Sequence, residues 1–532
     1  MTSIPADRPF EPALELHRAG DHDAAATLYR QVLEAQPDHA DSLRLLGVIE
    51  CQRGNHAAAV LLLQAALKVD PGSAKSLNRL GNAFRKLRRL EDAIASFDCA
   101  IALNPAYAKA FNNRGNTFTE MRRFPEALAS YDNAIANDPC FADALKNRGD
   151  VLQRLRRLEE AVASYDHAVA LLPDFAEALN NCGCALHELN RLDEALARFD
   201  RAISLKPDFA NAYVNRGMTT LLSGKLQRGW TDLEWRWKAN SVAGKFPAVD
   251  ASLWRGESLA GRRILVWPEQ GLGDVIQFVR YLTLIAQRGA EVVFLAPAKL
   301  ARLLGRHSQG VEVVDSLEGL APFDFQCALM SVPLRYSTDL PTVPAAIPYL
   351  RPEKELVDRW AMHLRNDGFR IGIVWQGNPN RSLDLGRSIP LVEFVPLARI
   401  PGVRLISLQK AHGLDQLTGL PADSNVELLP DDFDGGPDAF IDTAAVMANL
   451  DLIISSDTSV AHLAGALGRP AWIALRHVPE WRWLTSRSDS PWYPTMQLFR
   501  QTGQGNWKTV FDEIGIALRS RLSITVDIPG GR

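Results

Sequence analysis

Small and large apolar residues return every 34 positions through the first part of the chain. Pro37, Pro71, Pro105, Pro139, Pro173 and Pro207 keep that interval, and so do Gly47, Gly81, Gly115, Gly149, Gly183 and Gly217. Ala59, Ala93, Ala127, Ala161 and Ala195 run in step with them, as do the large residues Leu63, Phe97, Tyr131, Tyr165 and Phe199. The three classes play different physical roles. Glycine and alanine let two helices approach closely, the large residue fills the wedge between repeats, and proline breaks the chain before the next helix. A degenerate copy (Ala25, Tyr29, Pro37) precedes five full repeats. A sixth begins near Ala210 and loses the pattern at Gly229-Trp230 and Glu234-Trp235-Arg236-Trp237. From Lys238 to Arg262 no period is sustained, which predicts a linker. Thereafter short apolar runs alternate with helical patterns. Arg263–Trp267 and Glu291–Leu295 read as strands around a helix at 275–287. A second set starts at Arg370–Trp375 and continues through Val403–Leu408, Asn425–Leu429, Leu452–Ser455 and Ala471–Leu475.

A 34-residue period carrying these residue types is the tetratricopeptide-repeat (TPR) signature. Two successive strand–helix sets predict two Rossmann-like lobes with a cleft between them. The expected organisation is therefore an α-solenoid over 6–240, a linker at 241–261, and α/β lobes at 262–368 and 369–532.

Composition narrows the classes of function. All twelve tryptophans lie at Trp230 or later, so the halves differ in chemistry as well as in period. A net charge of −3 gives no electrostatic case for nucleic acid. The chain's opening shows no basic start followed by an apolar run, and no stretch approaches the roughly 20 apolar residues of a membrane span. Of six cysteines none forms a Cys-x-x-Cys pair, and five sit at helix-packing positions of the first half, which reads as reduced thiols in a cytoplasmic protein.

Three segments carry candidate chemistry. In Gln270–Ile276 a Gly-x-Gly follows a strand, but Ile276 stands where a dinucleotide fingerprint needs its third glycine. Gly256 and Gly261 are spaced like a P-loop, yet Arg262-Arg263 replace its Lys-Ser/Thr. What remains there is Asp274 at a helix start, where an N-cap is the plain role for an aspartate. In Ser455–Ala464 a buried strand gives way to a helix that presents Thr458 and Ser459 at a positive terminus suited to phosphate. Asp457 would repel phosphate and suits sugar hydroxyls. His462 lies one turn beyond Thr458, and alone it reads as a satisfied core histidine. In the loop Trp375–Ser388, Arg387 supplies a fixed charge for a diphosphate or is simply solvated. Asp432-Phe433-Asp434 matches an Asp-x-Asp metal motif but sits in a Gly/Pro/Asp-rich stretch and reads as a solvated turn. Trp481-Arg-Trp483 and Pro491-Trp-Tyr493 could stack on a base or sugar, but read rather as packing for a final helix at 507–518 against the lobes.

Gly273-Asp274-Val-Ile, Asp384–Ser388 and Asp457-Thr-Ser-x-x-His-Leu-Ala464 occur in the order and spacing of glycosyltransferase family 9, the bacterial heptosyltransferases, which this half resembles over about 262–518. The resemblance implies a GT-B fold and an inverting, metal-independent transfer from a nucleotide-diphosphate sugar, with no cofactor beyond that donor. It implies Asp274 as general base, Arg387 with Ser388 at the phosphate position, and Asp457, Thr458, Ser459 and His462 in the donor site. Ser459 departs from the family's usual glycine, and no basic acceptor pocket for phosphorylated lipopolysaccharide is apparent. In the solenoid, Asn113, Asn147, Asn181 and Asn215 occupy one position of successive repeats, resembling the asparagine ladder of O-linked N-acetylglucosamine transferase; side-chain amides there suit an extended peptide or merely a wet helical face. Three functions stand: a glycosyltransferase whose acceptor the solenoid recruits, a TPR scaffold with an inactive α/β half, and a nucleotide-sugar sensor.

Overall fold

The computed structural model describes residues 9–239, 246–305, 310–379, 384, 386–421 and 424–526. By its contacts the chain divides into two compact units, one running to Leu189 with Ser204–Lys206, the other taking Asn190–Ile203 and everything from Pro207.

The first unit is a TPR solenoid. Inner helices Ala40–Gln52, Ala74–Lys86, Ala108–Glu120, Ala142–Arg154 and Ala176–Glu188 alternate with outer helices such as His56–Val69, Leu90–Leu103, Phe124–Asn137 and Leu158–Leu171. The periodic glycines explain the pairing. A Cβ on Gly81, Gly115 or Gly149 would stand 2.6 Å from a ring carbon of Phe97, Tyr131 or Tyr165, so each aromatic ring lies flat on bare backbone. The turn between the two helices of a repeat needs a left-handed residue, supplied by Gly54 and then by Arg88, Arg122 and Arg156. Arginine there is strained, by about 1–2 kcal/mol for a residue with a Cβ. Of the cysteines expected to pack, Cys99 and Cys140 are exposed; none of the six is in a disulfide.

The second unit contains two wholly parallel sheets. The first has β1 (Ser252–Leu253), β2 (Arg263–Trp267), β3 (Glu291–Leu295), β4 (Val311–Val314) and β5 (Phe325–Ala328), in the order β1-β5-β2-β3-β4. The second has β6 (Phe369–Val374), β7 (Val403–Ser407), β8 (Val426–Glu427), β9 (Leu452–Ser456), β10 (Ala471–Leu475) and β11 (Met496–Arg500), in the order β11-β10-β9-β6-β7-β8. The central strands are buried on both faces, as parallel sheets require. The expected linker is corrected at its end: Ser252–Leu253 pairs with Phe325–Gln326 and Trp254 is buried. An edge strand of two residues leaves no periodicity to read. Residues 240–245 of that linker lie outside the described residues. The helix expected at 275–287 is two, Leu272–Phe278 and Arg280–Ala286.

Helices Ala210–Leu222 and Leu226–Leu233 belong to this second unit, a grouping the 34-residue period does not mark. Here Gly217 meets Asp232 and the backbone of Gly229 instead of an aromatic ring. Asp232 is buried and paired with Arg216 at 2.7 Å through both oxygens. Trp230 enters the core beside Phe278 and Trp481. Arg236 closes the junction by bonding Glu234, Glu269 and Ser331. Trp481 therefore packs against Trp230, Phe278 and Trp492, and Trp483 against His462 and Tyr493. The final helix, Trp507–Val526, instead covers the second sheet through Phe394 and Leu397, which corrects the expected packing partner.

Candidate functional site

The site is built where the loops at the carboxyl ends of β2, β6, β9 and β10 meet. After β2 the chain turns at Gly271 into the helix carrying Asp274. After β9 it turns through Asp457 and Thr458 into helix Ser459–Ala466. These two helices touch at Gly273, where a Cβ would stand 3.0 Å from His462 Cδ2 and 3.4 Å from Ser459 Oγ. After β6 the loop passes Gly377, where a Cβ would meet Arg387 Nη2 at 3.1 Å and Thr458 Cγ2 at 3.4 Å. Two bare glycine backbones thus draw Asp274, Arg387, Thr458, Ser459 and His462 together. Arg280 holds the two lobes beside it, donating to Trp492 O (2.7 Å), Pro344 O (2.9 Å) and Tyr349 Oη (2.8 Å).

Asp274 is not the N-cap, which is Gly271, but the third residue of the helix, reaching back to the cap. Its Oδ2 accepts from Gly271 N at 3.0 Å, and its Oδ1 is bonded by the buried guanidinium of Arg482. Arg482 also donates to Gln277 and, at 3.0 Å, to Glu480 Oε2. It therefore ties the acid on the first lobe to the loop after β10 on the second.

Asp384 Oδ1 accepts from Ser388 N (3.0 Å) and Ser388 Oγ (2.7 Å), a closed turn that sets Arg387 in place and occupies the Ser388 hydroxyl. Arg387 Nε is buried and has no hydrogen-bond partner among the described residues. Thr458 caps its helix in extended conformation without a side-chain bond, its Oγ1 turned to Ser455 Oγ at 3.2 Å. Among the described residues no side chain caps the first amides of that helix.

Electrostatics separate the remaining groups. Burial raises the Asp457 carboxyl above the usual aspartate range, against the pull of Trp483, Arg387 and Arg476. Glu480 keeps 38% of its side-chain exposure. Burial first, and the negative charge of Asp457 second, push its carboxyl up to about 7. His462 is buried and neutral, burial lowering it to about 3, with Nδ1 2.9 Å from Tyr493 Oη and its ring stacked on Trp483. It is a wall of the site rather than a charged ligand.

Arg476, Glu480 and Arg482 were not among the residues singled out from sequence. The available signal was three charges and a histidine within eight residues, Arg476 to Trp483, directly after a fully buried strand. Asp432-Phe433-Asp434 is corrected from a solvated turn: Phe433 is buried, and Asp434 Oδ1 accepts from Asp442 N at 2.8 Å as a cap for helix Ile441–Ala448.

In the solenoid, Asn113 donates to Asn78 (2.9 Å), Asn147 to Asn112 (3.1 Å) and Asn181 to Asp150 (2.8 Å), each reaching back to the preceding repeat. Asn215 lies in the second unit, where its carbonyl accepts from Thr219 Oγ1 at 2.8 Å.

Tetratricopeptide-repeat family models match residues 13–74, 74–107 and 140–208. Protein FlbA of Caulobacter vibrioides is 26% identical over 326 residues, covering 57% of this chain and 54% of that protein, so the match spans about half of the relative. Among solved structures, MamA is 26% identical over 32% of this chain and 96% of its own, with a TM-score of 0.28. YrrB, described as a TPR protein with an unusual peptide-binding site, is 24% identical over 33% of this chain and 91% of its own, with a TM-score of 0.30. The first part of the chain is thus a TPR array by period, by helix pairing and by family match. No helix among the described residues is long and apolar enough to cross a membrane.

Proposed function

We propose that the α/β half is a GT-B glycosyltransferase that moves a sugar, with inversion, from a nucleotide-diphosphate donor to an acceptor recruited by the TPR array. The observation that carries this reading is the meeting of three loops at Gly273 and Gly377, which brings together an acid, an arginine whose Nε has no partner among the described residues, and a helix terminus without a side-chain cap. In this reading the diphosphate lies against Arg387 and the amides of Ser459 and Val460. Fixed positive groups there stabilise the leaving charge without reorganising. Asp457, raised and desolvated, accepts sugar hydroxyls. Asp274 receives the acceptor's proton, and Arg482 fixes the orientation of its carboxylate. No step calls for a metal or a cofactor other than the donor.

A second reading has its own observation. Both oxygens of Asp274 are already engaged, by Gly271 and by Arg482, as in a purely structural cap. This favours a TPR scaffold whose α/β half has no turnover. Thermal shift and calorimetry with a broad panel of nucleotide sugars distinguish the two. The transferase reading expects one donor to raise the melting temperature and to bind at micromolar to millimolar concentration. Absence of binding across the panel at millimolar concentration would leave the scaffold.

A further inference from the structure

The inner helices of the first unit enclose a groove of about 770 Å³. Its lining carries the basic residues Arg44, Lys75, Arg79 and Lys109 and the acidic residues Asp138 and Asp143. Arg44 is paired with Asp41 at 2.6 Å. Lys75, Arg79 and Lys109 are exposed and form no ion pair among the described residues.

The asparagines lining the groove are tied into the repeats through one or two groups each, Asn78 also donating to Tyr107 Oη at 3.4 Å. Asn78 accepts from Asn113, and Asn112 accepts from Asn147, so they form a hydrogen-bonded seam. The ligand signal therefore comes from the charges. Positions 75, 109 and 143 are equivalent in three successive repeats and read Lys, Lys, Asp. The sign reverses within one groove, so it is neither a general anion trap nor a neutral backbone clamp.

Geometry converts this into a pattern. Packed helices stand about 8–10 Å apart, and an extended chain advances about 3.3 Å per residue. One repeat step therefore corresponds to about three residues of an extended ligand. We propose that this groove binds an extended segment of a partner protein with a carboxylate-rich stretch and a cationic residue about three to six positions apart. The carboxylates lie on Lys75, Arg79 and Lys109, and the cation lies on Asp138 and Asp143. The inference rests on the solenoid alone and holds whether or not the α/β half turns over.

Fluorescence anisotropy on the full chain tests it, with labelled peptides about twelve residues long, enough to span the groove. One carries a Glu block followed by a Lys/Arg block, one the same blocks in reverse, and one the same residues with alternating signs. One block peptide should bind at least about ten-fold tighter than the alternating one at low salt, with the gap narrowing as salt screens the contacts. The pair Lys75→Glu/Lys109→Glu should abolish that preference. Asp143→Lys should shift preference toward a peptide of glutamates alone. Lys75→Met/Lys109→Met, with helicity checked by circular dichroism, separates lost charge from lost fold. Equal binding of block and alternating peptides, no binding of any, or unchanged affinity in folded variants would overturn the proposal.

Discussion

Close approach to bare glycine backbone does different things in the two units. In the solenoid, Gly81, Gly115 and Gly149 each receive the ring of the residue 16 positions later, the same contact made three times. In the α/β half, Gly273 receives His462 and Gly377 receives Arg387, contacts made once each. The first kind builds a lattice of identical wedges, so losing one weakens a repeat. The second kind joins loops of different strands, so losing one moves a functional group with little change in the core. Stability is therefore expected to rest on the first set and loop positioning on the second.

The largest expected effect falls on the positioning side. Asp274→Asn keeps the bond from Gly271 but cannot take a proton, so transfer should fall by about 10²–10⁴-fold, measured as initial rate with the donor that the panel identifies. Donor affinity should stay within a few-fold of wild type. Persistence of activity would reduce Asp274 to a cap paired with Arg482.

Arg387→Ala removes a charge-assisted contact, for which about 1.5–3 kcal/mol is usual, or about 10–150-fold in donor affinity by calorimetry. The fold should be retained, because the turn around it is closed by Asp384 and Ser388. Weak loss on the nucleoside diphosphate itself would place the phosphates elsewhere.

The same substitution made in both halves separates the two kinds of contact. Gly115→Ala puts a Cβ 2.6 Å from the ring of a fully buried Tyr131. Overpacking of about 1–3 kcal/mol should outweigh the gain of about 1 kcal/mol in helix propensity and lower the urea midpoint followed by circular dichroism. Gly273→Ala meets His462 only at 3.0 Å, a contact relieved by a shift of a few tenths of an ångström. Its stability cost should stay below about 1 kcal/mol while transfer falls. Equal loss of stability in both variants would erase the distinction.

The smallest effect is one of pH. Glu480 is raised to about 7 in the folded protein from the ordinary glutamate value of 4.5. Its proton is held more tightly folded than unfolded, so its stabilising share is full below about pH 4.5 and is lost as pH rises through 7. Asp457, Arg387, Arg476 and Arg482 are the charges that face it. The melting temperature of wild type should therefore decline between pH 5 and 8 more than that of Glu480→Gln. Parallel profiles would mean that Glu480 is solvated like any surface carboxylate.

Legibility divides along the same line as the glycines. The TPR helices and their glycine–aromatic contacts could be read because partner residues recur at a fixed separation, so local periodicity and tertiary contact coincide. Strands β2, β3, β6, β7, β8, β9 and β10 were legible as apolar runs between turns. β1, β4, β5 and β11 were not: β1 is two residues long, and β4, β5 and β11 carry polar or charged residues such as Glu312, Gln326 and Gln497 that interrupt the run. For the site, sequence marked Asp274, Arg387 and Asp457–His462 singly, each with a capping, solvated or core alternative. Their meeting at Gly273 and Gly377 depends on the order of strands in two sheets, which no spacing along the chain encodes. Arg482 escaped notice because its partner Asp274 lies 208 residues away. The amino-acid sequence by itself determined the repeat, the alternation of strand and helix, and the residue types available for chemistry, because these follow from local period and backbone preference. Only tertiary structure decided which acid is paired, which arginine nitrogens are buried without a partner among the described residues and which histidine is neutral, because charge, burial and hydrogen bonding are set by neighbours distant in the chain.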